Sequence, residues 1–466
     1  MAGIGFELKK MFGNRGYLSS VKAYAFSSLV TVGPMLICMV IITVLQQILL
    51  QLNVSYLERM SFLAAVVYAF VFSLLITCGF SMVISRYIAD KIYLREYNDI
   101  IASLYGVIAV CLGLGGILGG AFYWLAPLPS GFKLVAYLLF VELIVVWLQS
   151  AYLSALKDYM RIIRGYLAAV AFTLLAAFLL SILTEMEKGI AMLISLDIGF
   201  FIMIVLSMVH LESYFPKRER NYFDFLKYVK KYPSLLGVGL FCSLGFYVHH
   251  FIYWLGSPLQ EVVADTYVIA PFYDVPAFYA SLSILPTMVM FVVSVETAFY
   301  EKYRAYYGTI LGTGSVQDIK RAKTDMVQTL MQELSFMMEV QLFFSFVALA
   351  LGITLLPHIG FTSEQMERYN ILVIAGYLYA VMFVIVLMLL YFDDRKGALA
   401  VTTLFLVSTF VITIAMLPLE NYGFSFFIAS FLALVASLGR LIYYLKNIDY
   451  YTYCLQPLFV KGKRME

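Results

Sequence analysis

Glu142 and Gln149 stand seven residues apart, two helical turns along one face, inside an otherwise apolar run. Asp197 lies near the centre of a second run, and His249 and His250 form a pair in a third. Glu296 and Glu339 sit toward the ends of two more. A carboxylate at membrane depth costs at least about 2.5 kcal/mol on insertion scales, so it faces a water-filled cavity, a partner group or the headgroup region. For Glu142 and Asp197 two readings stand side by side. They line a path for a polar solute or an ion, or they are neutral acids bonding a neighbouring helix. Glu296 and Glu339 reach the headgroups, which favours the second reading for them. Gly33-Pro34 and Pro286 also fall inside apolar runs. Proline removes a backbone hydrogen bond there and bends the helix, giving either a fixed packing kink or a hinge.

Other chemistries are excluded by what surrounds such residues. Cys38, Cys78, Cys111, Cys242 and Cys454 are scattered, without a CxxC pair or a Cys/His cluster at metal-ligand spacing. Asp393-Asp394 lacks the second acidic cluster that metal-diphosphate chemistry would need. No GxxxxGK[ST] loop, no HExxH and no Ser/His/Asp set in a large loop occurs. No metal, no cofactor and no catalytic residue is therefore expected. A transporter without its own ATPase, an integral-membrane enzyme and a structural membrane subunit remain.

The elements that must position these groups are membrane helices. Of 466 residues, 62% are hydrophobic and 13% charged, too apolar for an ordinary soluble globule. Twelve runs, each enough to cross a ~30 Å hydrocarbon core, read as helices at 24–50, 62–84, 100–124, 133–156, 164–184 and 189–209, then 234–255, 272–299, 335–357, 369–392, 397–417 and 422–446. The fold class is all-α, a polytopic integral membrane protein. Basic residues fall in alternate gaps, among them Lys9, Lys22, Arg86, Lys91, Arg161, Lys230, Arg304, Arg395 and Arg440, while the other side has only Arg59, Lys133, Lys188 and Arg368. By the positive-inside rule the basic side is cytoplasmic and both termini lie there, in the inner membrane. The same charges flank spans and mix with Glu, Asp and Tyr, so lipid headgroups rather than nucleic acid are their partner.

The 211–233 segment divides the chain into halves 1–210 and 234–466, each of six spans. Its aromatics alternate with charges, as in a helix lying in the membrane interface. Leu29-Val30-Thr31-Val32-Gly33 and Leu235-Leu236-Gly237-Val238-Gly239 open the two halves alike, which is consistent with duplication. In 300–334 a helical stretch Val316–Leu334 places Ile319, Lys320, Lys323, Val327, Leu330 and Leu334 at three- and four-residue spacing. Its apolar stripe needs a cover, from lipid or a partner. Lys320, Arg321 and Lys323 are the candidate docking charges.

Met1-Ala-Gly-Ile-Gly-Phe-Glu-Leu-Lys-Lys10 resembles the opening of the Pel exopolysaccharide transporter family, PelG, commonly of the form GIGFEL[RK]K. The resemblance continues at Arg86-Tyr87-Ile88-Ala89-Asp90-Lys91-Ile92-Tyr93 and at Tyr273-Asp274 with Phe278. It recurs at Ile284-Leu285-Pro286 and at Glu296-Thr297 with Phe299, Tyr303, Tyr306 and Tyr307. One departure is Gly312-Thr313-Gly314, where the family pattern has paired glycines. Asp274 thereby joins the substrate-path candidates. The family is grouped with the multidrug, oligosaccharidyl-lipid and polysaccharide exporters, so the resemblance implies two six-helix lobes around a central cavity. It further implies outward movement of a hexosamine-rich polysaccharide for biofilm matrix. The partners it implies are a cytoplasmic glycosyltransferase and other membrane subunits of a synthase complex. A lipid-linked oligosaccharide flippase, an ion-coupled antiporter of the same fold and a non-transporting synthase scaffold are the alternatives. Thirty-six Tyr and 38 Phe supply rings able to stack on sugars, although most serve packing and the interfacial belt.

Overall fold

The computed structural model describes residues 33–154, 159–215, 220–312, 314–419 and 422–454. The family-like opening at 1–10 and the basic residues Lys9 and Lys22 lie outside the described residues. The first half contains α1 (Gly33–Gln51), α2 (Tyr56–Tyr93), α3 (Ile100–Leu125), α4 (Ser130–Leu153), α5 (Tyr159–Leu183) and α6 (Lys188–Tyr214). A short α7 (Phe225–Lys231) leads to α8 (Pro233–Gly256) and a two-stranded hairpin, β1 (Glu261–Val263) and β2 (Tyr267–Ile269). Then come α9 (Pro271–Ser281), α10 (Leu285–Ser294), α11 (Tyr300–Leu311), α12 (Val316–Leu355), α13 (Ser363–Tyr391), α14 (Arg395–Met416), α15 (Phe424–Lys446) and α16 (Ile448–Tyr453).

Eleven helical segments among the described residues are long and apolar enough to cross a membrane. The first expected span, 24–50, enters the description only at Gly33, as α1. Their boundaries follow local chemistry. Ser55 accepts a bond from the Glu58 N–H at the start of α2, and Ser315 with Asp318 and Thr362 with Gln365 form capping boxes for α12 and α13. Proline occupies the first turn of α8 and α9, where its missing N–H is an orphan in any case.

Neighbouring helices repeat with an offset of six spans. In the first half α1 packs on α5, α2 and α3 on α4, α4 on α6, and α5 on α6; in the second α8 packs on α14, α9 and α12 on α13, α13 on α15, and α14 on α15. One apolar core is built from residues of the first half and another from the second. The same order of helix neighbours thus recurs in the two halves.

Three segments differ from the sequence expectation. The eighth span is broken: a 3-10 turn at Leu282–Ile284 separates α9 from α10, and Val295–Phe299 widens into a π-helical turn. Pro286 thus sits in the first turn of α10 rather than inside a continuous helix, and Pro276 lies inside α9. Gly33 begins the described part of α1, with Pro34 next; the Pro34 side chain is outside the described residues. Second, 316–334 and the ninth span are one 40-residue helix, α12. At 1.5 Å per residue it is about 60 Å long, twice a hydrocarbon core. Third, its apolar stripe is already covered within the chain. Leu330 and Leu334 are buried, Ile319 and Val327 pack against the second-half core, α11 folds back along α12, and Lys323 pairs with Asp449 of α16 at 2.7 Å. No free stripe is left to demand a partner.

Candidate functional site

The two halves meet along α2 and α8, which run antiparallel. Near the basic end their backbones touch: a Cβ on Gly239 would stand 2.6 Å from the Cys78 carbonyl oxygen. Only glycine allows that approach. Farther along, the Phe72 and Phe251 rings stack at 5.6 Å, and the Tyr68 and Trp254 rings at 5.2 Å and 7°. The six-span repeat relates this seam to a second one, α1 beside α9 and α10. Those helices are not among the closely packed pairs of the described residues.

At the end opposite the basic face, the hairpin crosses from the second half into the first. Val263, Tyr267 and Ile269 are buried in the first-half core. The Tyr68 hydroxyl donates to the Val268 carbonyl at 2.7 Å and accepts from the Val268 N–H at 2.9 Å, so one side chain serves the strand edge as a neighbouring strand would. The Tyr267 hydroxyl donates to that of Tyr123 at 3.3 Å, and on the exposed rim Tyr56 donates to Glu261. The hairpin turns through Ala264 and Asp265 at φ 49° and 48°, with the Thr266 N–H bonded to the Val263 carbonyl.

Behind this contact sits a polar group made of residues singled out by the sequence. Asp274 Oδ2 accepts from the Trp254 indole N–H at 2.7 Å and the Ala270 N–H at 2.9 Å, while Oδ1 lies 2.7 Å from His250 Nδ1. His249 Nδ1 is 2.8 Å from the Tyr273 hydroxyl, and Tyr253 bonds Ser425 at 3.0 Å. Asp274 is thus fully engaged in fixing Trp254 and the chain just after β2. Arg368 donates to the Phe272 carbonyl at 3.1 Å and lies over the rings of Phe272 and Tyr422.

The remaining candidates lie elsewhere. Glu142 on α4 and Asp197 on α6 are buried in the first half. Among the described residues Glu142 Oε2, Asp197 Oδ1 and Gln149 Oε1 have no hydrogen-bond partner, whereas Gln149 Nε2 donates to the Ile204 carbonyl at 3.2 Å. Their register agrees with parallel helices, since 142 and 149 step two turns together with 197 and 204. Glu339 is exposed on α12 in a shallow groove with Gln328, Gln332, Ser335 and Phe336. The Glu296 side chain is outside the described residues. Lys320 and Arg321 are exposed on α12.

Two features escaped the sequence reading. The hairpin falls between the expected spans 234–255 and 272–299, where Glu261-Val-Val and Tyr267-Val-Ile flank Ala264-Asp-Thr in a strand–turn–strand pattern. At the basic end of the seam, Tyr232 collects three cations: Arg395 at 4.7 Å, Lys231 at 5.0 Å and Arg86 at 5.7 Å from its ring centre. Asp393 joins Arg86 at 3.7 Å and Arg395 at 3.2 Å, linking the halves a second time. Asp394 instead caps α14 and holds Arg440 through two bonds of 2.6 and 2.8 Å, so the adjacent acids have separate structural partners.

The family model described as "Putative exopolysaccharide Exporter (EPS-E)", PelG, matches residues 1–453. No curated protein matches the chain. Among solved structures, a multidrug-resistance transporter of the MATE family and MOP superfamily, outward-facing, aligns with TM-score 0.60 and 12% identity over 91% of this chain and 96% of its own. The Vibrio cholerae MATE transporter VcmN, as a mutant, aligns with TM-score 0.65 and 11% identity over 96% and 99%. A MOP superfamily transporter from Pyrococcus furiosus aligns with TM-score 0.57 and 12% identity over 91% and 96%. At these identities the likeness is one of fold: this chain is folded as those transporters are.

Proposed function

We propose, from the premise that the chain belongs to the PelG exopolysaccharide exporter family, that it carries a Pel-type, hexosamine-rich polysaccharide from the cytoplasm to the outer face of the inner membrane. The observation that carries this reading is the family match over nearly the whole chain, joined to a twofold six-span architecture of transporter type. The route runs between the halves, beside the α2–α8 seam and toward the side where α1 and α9–α10 are not closely packed. Tyr and Phe along it offer flat faces for sugar rings, and Tyr adds a hydroxyl for hydrogen bonding. The basic face is cytoplasmic in this scheme, and a glycosyltransferase working there feeds the growing polymer into the route.

His249, His250 and Asp274 act at the outer end by positioning Trp254 and the hairpin rather than by contacting sugar. Lys320 and Arg321 on the projecting part of α12 remain the docking charges for the synthase, with Lys323 engaged by Asp449. Deleting the gene in a Pel-type producer should abolish surface polymer or trap it inside. Undiminished surface polymer in a clean deletion rejects the reading.

One observation favours a second reading in which export is ion-coupled. Glu142 and Asp197 are buried with unpartnered oxygens, and protonation or a bound cation would relieve both. Under this reading Glu142→Gln with Asp197→Asn abolishes pH-dependent transport in proteoliposomes. Under the first, export driven by polymer synthesis continues in the double variant.

A further inference from the structure

We infer, resting on the exporter reading above, that the hairpin Glu261–Ile269 is the gate over the outer end of the route and must lift for polymer to leave. The hairpin belongs in sequence to the second half, between α8 and α9, yet its apolar side chains complete the core of the first. A connection between two spans of one half has no need to cross to the other. Crossing makes it a closure between bodies that a transporter of this plan rocks against each other.

Its attachments suit release as a unit. Both backbone bonds to Val268 end on a single hydroxyl, that of Tyr68, so one rotation or one separation of α2 from α8 breaks them together. The Tyr68 ring is clamped between Trp254, stacked on it, and Tyr267, edge-on at 5.0 Å. Trp254 is fixed by Asp274, and the same carboxylate holds the Ala270 N–H at the point where β2 ends. Asp274 therefore ties ring and hairpin to the second half, while Tyr68 is the contact that the first half offers. The two central turn residues, Ala264 and Asp265, both have positive φ, as a type I′ turn requires; such a short turn holds the two strands as one stiff piece. What lifts is the whole hairpin.

The test bridges the gate at its exposed rim, where Tyr56 meets Glu261. The full chain carries Tyr56→Cys and Glu261→Cys, with the exposed Cys454 changed to Ser, and is joined by a short reversible bis-thiosulfonate spacer. Bridging should lower polysaccharide export at least tenfold, with recovery on adding reductant. It should also slow hydrogen exchange of the amides in 261–269 at least tenfold, a readout that needs no transport. Export at the unbridged rate, or hairpin exchange unchanged by the bridge, overturns the gate. Slowed exchange in a protein that exports no polymer in either state keeps the gate and removes the exporter reading. Tyr68→Phe provides a second variant that keeps the ring stack: it should speed exchange at Val268 at least fivefold, and unchanged exchange there contradicts the role given to the hydroxyl.

Discussion

The two ends of the α2–α8 seam are closed by different chemistry. At the end away from the basic face the halves are joined by stacked rings, a strand edge satisfied by one hydroxyl, and a carboxylate that holds Trp254, Ala270 and His250. At the basic end they are joined by cations around Tyr232 and by Asp393, whose side chain is half-exposed. Ring stacking and hydrogen bonds between uncharged groups, the main contacts of the first kind, change little with salt. Exposed pairs of the second kind are worth about 0–1 kcal/mol each and weaken as salt rises. At the basic end these pairs stand beside the Gly239–Cys78 backbone approach and the buried Val83, Tyr232 and Leu235, so salt reaches only part of that contact.

This contrast can be broken most forcefully at Trp254. Trp254→Ala removes the ring under Tyr68 and the donor to Asp274, and should destabilise the outer end by about 3–5 kcal/mol. Thermal unfolding in detergent should show the loss, with the 261–269 amides exchanging earliest. Asp274→Asn is smaller: one oxygen becomes an amide nitrogen, so either His250 or the Trp254 and Ala270 donors lose their acceptor, for about 1–3 kcal/mol. It should loosen the hairpin without disturbing first-half helices in hydrogen exchange. Smaller still is the basic end. Arg86→Gln leaves Asp393 paired with Arg395 and Tyr232 stacked on Arg395. A loss of about 0.5 kcal/mol is expected at low ionic strength, vanishing in molar salt. A large, salt-independent effect of Arg86→Gln would erase the distinction between the two ends.

How much of this was legible beforehand depends on the range of the interaction. The spans rest on apolar runs within single stretches of chain, and these were readable. The pairing of His250 with Asp274 was not. Both residues were singled out, one as an ionisable group at membrane depth and the other through the family resemblance, but a separation of 24 positions hides their contact. Tyr68 offered no signal at all. It is one of 36 tyrosines in a run of apolar residues, and its meaning comes from Val268, two hundred positions away. The cover over the α12 stripe was hidden for a related reason. Amphipathic spacing establishes that a face must be covered, and α11 and α16 of the same chain cover it.

Directional movement of polymer through this chain can be followed in inverted membrane vesicles. Vesicles bearing the synthase, supplied with labelled nucleotide sugar outside, should accumulate polymer in a lumen protected from glycoside hydrolase only when this chain is present. Equal protection in vesicles that lack the chain would contradict the account.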